Sequence, residues 1–283
     1  MATYVVSLGA GVGNIVESMP FLWFLKGRGE TVIGRREFSA FSSEACELAS
    51  VACDAMIEGK WHIIGAIDKG LPIKGPPCKA HDRSEWEAWF TMHGFVPPKV
   101  EDVRTDTAWE DVDGRYDVVL APTSKSNWLM KKWPYWGKLA EMIPGCAVVG
   151  LPGDGGEFGS GCVDLRGKMT LKQLAGLFRK ARCVVAQEGG LAHLSAAHGT
   201  RTFILYGGTS WLKNFPPRNG VLVLPEKLMP CQPCQFKSCH VSWDGGVQTW
   251  HGCNPGMKAD GKWSRCMAAL TPERVMEVAG WAR

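Results

Sequence analysis

No stretch of this chain approaches the roughly 18 consecutive apolar residues that a membrane-spanning helix requires. The first residues, Met1-Ala2-Thr3, run straight into a strand pattern. They carry neither the basic segment nor the small-residue cleavage site of a secretory signal, so the expectation is a cytoplasmic protein. No Gly-Lys-Ser/Thr follows a glycine-rich turn, which removes the P-loop as a nucleotide site. No sequence repeat relates one half to the other. What remains is a soluble globular composition, 45% hydrophobic and 21% charged. The 283 residues suffice for one large domain or two ordinary ones.

The eleven cysteines are an odd number for a secreted disulfide framework. Cys46, Cys53, Cys78, Cys146, Cys162 and Cys183 are scattered among apolar neighbours and read as small core residues in a reducing compartment. Cys231, Cys234, Cys239, Cys253 and Cys266 are instead crowded into one segment. The spacing Cys231-x2-Cys234-x4-Cys239, then Cys253, with His240 and His251 nearby, is close to that of a structural zinc site. Packed free thiols are the competing reading. Net charge is +4, unevenly spread. Residues 1–113 hold 11 basic against 17 acidic side chains, and residues 114–283 hold 21 against 11. The C-terminal half is therefore where an anionic ligand is expected.

Strand and helix patterns alternate along both halves. In the first, strands are expected at Tyr4–Leu8, Glu30–Ile33 and Asp54–Ile57, with helices at Asn14–Lys26 (interrupted at Pro20), Phe41–Ala52 and Ser84–His93. Residues 65–80, rich in Gly, Pro and Lys, read as loop, and the polar Glu101–Asp113 as a boundary. In the second half, strands are expected at Tyr116–Leu120, Cys146–Gly150, Cys183–Ala186, Thr202–Tyr206 and Val221–Leu224. Helices are expected at Trp133–Met142, Thr170–Arg179, Leu191–His198 and Thr271–Ala282, the last with Thr271 as N-cap and Pro272 at its first position. Such βα alternation predicts two Rossmann-like parallel-sheet domains facing a central cleft. The expected division is an N-terminal domain over 1–113 and a C-terminal domain over 114–268 with a cysteine-rich insertion at 230–266. Residues 269–283 form a closing helix.

Three segments carry chemistry. In Leu8-Gly9-Ala10-Gly11-Val12-Gly13-Asn14, glycines between a strand and a helix permit close backbone approach to a ligand. The pattern departs from a dinucleotide fingerprint at Asn14, although Arg35 and Arg36 would suit an NADP phosphate. A tight turn without a ligand is the plain alternative. In the second segment, the strand Val118-Val119-Leu120 ends in Ala121-Pro122-Thr123-Ser124, with Lys131-Lys132-Trp133-Pro134 further on. Hydroxyls, helix N–H groups and Lys132 suit a diphosphate, whereas a solvated lysine pair is the bland reading. In the third, the strand Val184-Val185-Ala186 runs into Gln187-Glu188-Gly189-Gly190-Leu191-Ala192-His193. Here an acid and two glycines stand at the positive end of a helix. A histidine inside such a helix is more often a packing residue than a catalyst.

In this order and spacing the three segments resemble heptosyltransferase-like glycosyltransferases (family 9), whose fold is GT-B. Leu8 to Pro20 is similar to the family's strand, Leu-Gly-x-x-Gly-Asp and apolar helix. Val118 to Pro134 is similar to its strand, hydroxyl loop and Lys-x-Trp-Pro or Lys-Trp-Pro. Glu188 to Gly208 is similar to its Asp-x-Gly-x-x-His segment, and Pro230 to Val275 to its cysteine-containing tail and closing helix. The resemblance implies inverting, metal-independent transfer from a nucleoside-diphosphate sugar to a hydroxyl acceptor, typically a lipopolysaccharide or capsule glycan. The N-terminal domain would take the acceptor and the C-terminal domain the donor. By position, Gly11, Gly13, Thr123, Ser124, Lys132, Glu188, Gly189, Gly190 and His193 are implied to bind the donor, Lys132 also stabilising the leaving group.

Two departures alter the expectation. The family's N-terminal acid, its proposed general base, is Asn14 here, and an amide takes no proton from a hydroxyl. Glu17, one helical turn on, is the nearest carboxylate, with His81, Asp82 and Glu85 next. The donor-site acid is Glu188, one methylene longer than aspartate. The insertion Val241–Arg265 interleaves Trp243, Trp250 and Trp263 with Lys258, Lys262 and Arg265, which suits contact with an extruded base. That motivates a second reading, a phage-type DNA glycosyltransferase acting on hydroxymethylated bases. Asn14 motivates a third, a nucleotide-sugar-binding protein without catalysis. An NADP oxidoreductase is the remaining alternative.

Overall fold

The structure, a computed structural model, describes residues 3–8, 11–36, 42–58, 71–73, 84–124, 128–233, 241–244, 247–250, 258–259 and 263–281. Two parallel sheets organise them. The first has the order β3-β2-β1-β4, from β1 (Thr3–Leu8), β2 (Thr31–Arg36), β3 (Ala55–Glu58) and β4 (Leu71–Ile73). Between them lie α1 (Val12–Gly27) and α2 (Ser42–Glu47), and α3 (Glu85–Met92) follows β4. β4 falls within the segment read as loop from its glycines and prolines. Pro72 is compatible with a strand there because β4 lies at the sheet edge, where a missing N–H breaks no central ladder.

α1 also corrects an expectation, since Pro20 does not interrupt it. Proline removes one backbone hydrogen bond, to Val16. Every residue from Ile15 to Leu22 is nevertheless buried, so packing on all sides holds the helix together. Phe21 meets Phe90 and Trp89 of α3 at ring separations of 5.2 and 6.1 Å, and Phe24 meets Phe90 at 5.1 Å.

The second sheet has the order β10-β9-β8-β5-β6-β7. Its strands are β5 (Val118–Ala121), β6 (Ala147–Val148), β7 (Val163–Asp164), β8 (Cys183–Gln187), β9 (Arg201–Leu205) and β10 (Gly220–Val223). The connections carry α4 (Trp136–Met142), α5 (Leu171–Lys180), α6 (Gly190–Ala197) and α7 (Trp211–Asn214). Strand order reverses between β5 and β8, the doubly wound arrangement in which ligands bind beyond the carboxyl ends of the strands at the reversal. β5 and β8 are buried on both faces, which explains their unbroken apolar runs. Val119 and Ala121 face one core cluster, Val118 and Leu120 the other.

The first of these clusters is continuous across the two halves, from Val6 and Ile15 to Val184, Leu191 and Ile204. Glu44 Oε1 also accepts from the Leu171 amide (2.6 Å), and Lys172 pairs with Glu47 at 3.0 Å. The hairpins β11 (Val241–Asp244) with β12 (Val247–Trp250) and β13 (Lys258–Ala259) with β14 (Trp263–Ser264) belong to the insertion. α8 (Arg265–Ala268) and α9 (Pro272–Ala279) close the chain. Thr271 caps α9 through the Arg274 amide, and Gly280 ends it in the left-handed conformation at φ 74°. Trp133 Nε1 donates to the Leu270 carbonyl (2.6 Å), tying this end to the second half.

Candidate active site

The carboxyl ends of β5 and β8 bring the second and third segments together. After β5 the chain turns through Pro122-Thr123-Ser124. The Thr123 hydroxyl donates to Asp154 Oδ2 (2.6 Å) and accepts from the Leu151 amide (3.1 Å). It is thus engaged in holding the loop after β6. Gly150, at φ 127°, permits that approach, since a Cβ there would lie 1.9 Å from Thr123 Oγ1. After β8, Glu188 is buried, Gly189 is the N-cap of α6, and Gly190 opens the helix. The first turn of α6, with its positive helix end, follows directly on the carboxyl end of β8.

The lysine that reaches Glu188 is Lys131, not Lys132. Lys131 Nζ lies 2.5 Å from Glu188 Oε2, and both side chains are buried. It also stands over the Trp128 ring, 4.2 Å from the centroid. Lys132 is exposed. A 3₁₀ turn over Leu129–Lys131 separates the two directions, because its residues rotate by about 120° each. Glu188 Oε2 is held in this ion pair but accepts no hydrogen bond among the described residues. Gln187 Oε1 and Thr209 Oγ1, also buried, have no donor or acceptor partner there either. Unsatisfied buried groups of this kind are what a ligand or ordered water completes.

The first segment meets the third across the halves. Gly190 abuts the first turn of α1: a Cβ on it would lie 2.7 Å from Val12 Cβ and 3.1 Å from the Gly13 amide. A Cβ on Gly13 would make ordinary contact with His193 Cδ2, while around Gly11 there is open space. Asn14 is exposed. Glu17 is buried, and its Oε1 lies 3.4 Å from His193 Nε2. Burial is the main cause that pushes the Glu17 carboxyl well above its ordinary range, with the Glu85 and Glu188 charges adding to it and Lys213 and Lys131 opposing. His193, also enclosed, falls to about 4, chiefly by desolvation, so it is neutral at physiological pH. Tyr206 is raised by burial and by the Glu188 and Glu17 charges. A narrow cavity beside the contact is lined by Glu17, Thr105, His193, Pro216, Pro217 and Arg218.

The geometry adds Lys131, Lys213 and Tyr206 to the residues picked out from the sequence. The Lys-x-Trp-Pro spacing favours Lys131 over Lys132; nothing local marks Lys213. His81, Cys234, Cys239 and Cys253 lie outside the described residues. Cys231 is half-buried and packs against Met130. Among the described residues no group of His, Cys, Asp or Glu is arranged to hold a metal ion.

Residues 99–242 match the family profile of glycosyltransferase family 9 (heptosyltransferase). The chain belongs to glycosyltransferase family 9. As a member it is a nucleotide-sugar-dependent glycosyltransferase, and its two facing parallel sheets are the GT-B fold. Solved structures agree on the fold. ADP-heptose lipopolysaccharide heptosyltransferase II of E. coli superposes with a TM-score of 0.65 at 14% identity, over 99% of this chain and 98% of that one. A family 9 glycosyltransferase from Veillonella parvula gives 0.64 at 11%, covering 99% and 96%. The iron-containing dodecameric glycosyltransferase TibC of enterotoxigenic E. coli gives 0.68 at 15%, covering 99% and 75%. Comparison with curated protein sequences returns no match. No helix among the described residues of this family 9 member is long and apolar enough to cross a membrane.

Proposed function

We propose that this enzyme, acting in the cytoplasm, transfers a sugar with inversion and without a metal. The donor is a nucleoside-diphosphate sugar, and the acceptor is a hydroxyl of a lipopolysaccharide or capsule glycan. The acceptor side is residues 1–113 and the donor side residues 114–268. ADP-heptose, named with the E. coli neighbour, is the first donor to test. The observation that carries the reading is the buried Glu17 carboxylate held against His193 at the opening of α6.

In this reaction the acceptor O–H proton passes to Glu17 as the oxygen attacks the anomeric carbon. The bond from that carbon to the diphosphate oxygen breaks, and its electron pair leaves with the nucleoside diphosphate. The amides of Gly189 and Gly190, Ser124 and the Lys131–Glu188 pair receive that charge. Lys132, being exposed, makes at most a solvent-screened contribution. A base is most effective when its proton affinity approaches the working pH, and burial moves Glu17 in that direction.

The test is release of nucleoside diphosphate from ADP-heptose and other nucleotide sugars, with acceptor mass followed for glycan fragments and for hydroxymethylated DNA. Glycan-dependent turnover is expected, with Glu17→Gln lowering kcat by about 10²–10⁴-fold while donor affinity persists. Transfer to DNA alone would overturn the acceptor assignment, and donor binding without turnover would leave a binding protein. The spacing of Cys231, Cys234, Cys239 and Cys253 supports a structural zinc. Elemental analysis of the purified protein, covering zinc and iron, should find about one equivalent of zinc if so.

A further inference from the structure

We propose that Cys146 and Cys162 are a modification site: a dithiol that a low-molecular-weight disulfide oxidises reversibly to an intramolecular disulfide, locking the loop that Thr123 holds. The two residues stand opposite each other on neighbouring strands. β6 and β7 run parallel, with Ala147 opposite Val163 and Val148 opposite Asp164. The pairing reaches one position further back, where the Cys146 carbonyl accepts from the Val163 amide and the Gly161 carbonyl from the Gly145 amide, each at 2.9 Å. Paired strands lie about 4.8 Å apart, and cysteines joined by a disulfide have Cα atoms about 4.4–6.8 Å apart. Residues opposite each other share a face of the sheet, and both cysteines pack into the apolar cluster that holds Val148. The backbone thus presents the two thiols within bridging range.

Access and acidity set this pair apart from the buried thiols. Burial pushes Cys53 up to about 12 and Cys183 up to about 11. Cys162 is only half-buried, beside β7 at the edge of its sheet and between the exposed residues Gly161 and Val163. Its thiol shares a hydrogen bond with that of Cys146, which lowers the Cys146 thiol from its ordinary value against the opposing effect of burial. The proton between the two sulfurs can rest on either, so a thiolate is available at the one that solvent reaches. Cys162, as thiolate, attacks one sulfur of the small disulfide, and the other sulfur leaves as a thiolate. Cys146 then loses its proton, attacks Cys162 Sγ and displaces the second small thiolate. Two protein thiols lose two electrons and two protons, and the small disulfide becomes two thiols.

β6 and β7 pair over only two residues each, so this edge opens at little cost while the thiols are reduced. The new bond closes a loop over residues 146–162, which includes Leu151 and Asp154, the partners of Thr123. Arg166, just beyond β7, donates to the Asp154 and Gly156 carbonyls at 2.6 and 2.8 Å and anchors the far end of that loop. Covalent closure at Cys146 fixes the near end.

The test is incubation of the full chain with oxidised glutathione under native conditions, followed by non-reducing digestion and mass spectrometry. The expected product is a Cys146–Cys162 cross-linked peptide, two hydrogens lighter than its reduced parts and lost on treatment with dithiothreitol. In Cys146→Ala the reaction should stop at a glutathione adduct on Cys162, and in Cys162→Ser the Cys146 thiol should stay reduced. Hydrogen exchange of the peptide over 149–156 should slow by about 10-fold or more in the oxidised protein. Absence of the cross-linked peptide, or a glutathione adduct that persists on wild-type Cys162, overturns the proposal. Exchange that does not slow overturns the locking of the loop. Should Cys146→Ala fail to fold, the wild-type peptide map still decides. None of these readouts depends on sugar transfer, so the proposal and the reading of the active site fail separately.

Discussion

The contact between α1 and α6 offers a direct test of how tightly the two halves must dock. Gly190 opens α6 in the second half, and Val12 and Gly13 open α1 in the first. A methyl at position 190 would sit 2.7 Å from Val12 Cβ, 3.2 Å from Val12 Cγ1 and 3.1 Å from the Gly13 amide. Carbon atoms rest at about 3.5–4.0 Å, so Gly190→Ala must drive the two helix openings apart by about 1 Å. Two of the three obstructing atoms belong to a short β-branched side chain and the third is backbone, so no flexible side-chain end can move aside. The strain is relieved by opening the cleft, and Glu17 then withdraws from His193. A displacement of about 1 Å at reacting groups costs on the order of 100-fold in rate. Overpacking of this kind costs about 1–3 kcal/mol, less if the halves rotate freely. The assay is steady-state donor turnover beside thermal melting, with Gly13→Ala as the stability control. There the new methyl meets His193 Cδ2 at an ordinary 3.6 Å, and melting should not fall. Unchanged turnover in Gly190→Ala would refute the inference that catalysis requires α1 and α6 in contact.

Other consequences concern charge. Lys131→Met strands a buried carboxylate at Glu188 and should cost about 3–5 kcal/mol in chemical denaturation. Adding Glu188→Gln should recover most of that loss, whereas Lys132→Met should change stability by less than about 0.5 kcal/mol. Equal effects at 131 and 132 would refute the assignment of the buried pair. His193 and His198 each fall to about 4, so between pH 6.5 and 4 the unfolded chain binds protons that the native state refuses. Stability should decline through that window by up to about 3 kcal/mol per histidine. Glu17, raised instead, contributes stability below its unfolded value that is lost as pH rises through its folded one. Histidine ring signals that stay neutral to pH 5, with melting temperatures falling from pH 6.5 downward, are expected. Rings that protonate near 6.5 would contradict the burial argument.

The regular framework was legible because its physics is local. β8 and α6 declare themselves by a β-branched run, an acid, two glycines and a helix opening, and β5 by an apolar run buried on both faces. The closing helix was equally plain, since Thr271, Pro272 and Gly280 are a cap, a first-turn proline and a left-handed stop. Where local signals competed with tertiary context, context won. Pro20 did not break α1 because that helix is enclosed on every side, and Pro72 did not prevent β4 because the strand is at an edge. β6 and β7 are each two residues long, too short to carry a period. The choice between Lys131 and Lys132 turned on a single 3₁₀ turn. Lys213 and Glu85 stand 128 positions apart, and only the docking of α7 against α3 brings them into contact.

The missing acid at position 14 then has a geometric answer. Three residues along an α-helix return to nearly the same face, about 4.5 Å deeper along the axis. Asn14 is exposed on the first turn of α1, and Glu17 is buried one turn below it. A carboxylate at 14 would be solvated and close to the positive end of the helix, both of which favour its ionised form and make it a weaker base. One at 17 is desolvated and feels the Glu85 charge, and both raise its proton affinity. If the base has been moved along this face, Asn14→Asp introduced into Glu17→Gln should recover transfer by about 10-fold or more, and the acid limb of its rate profile should shift to lower pH. If the double variant stays as inactive as Glu17→Gln alone, the reacting hydroxyl does not pass position 14. The acceptor would then approach Glu17 from the side of the cavity lined by Thr105, Pro216 and Arg218, and substitutions there, not at 14, would govern its KM.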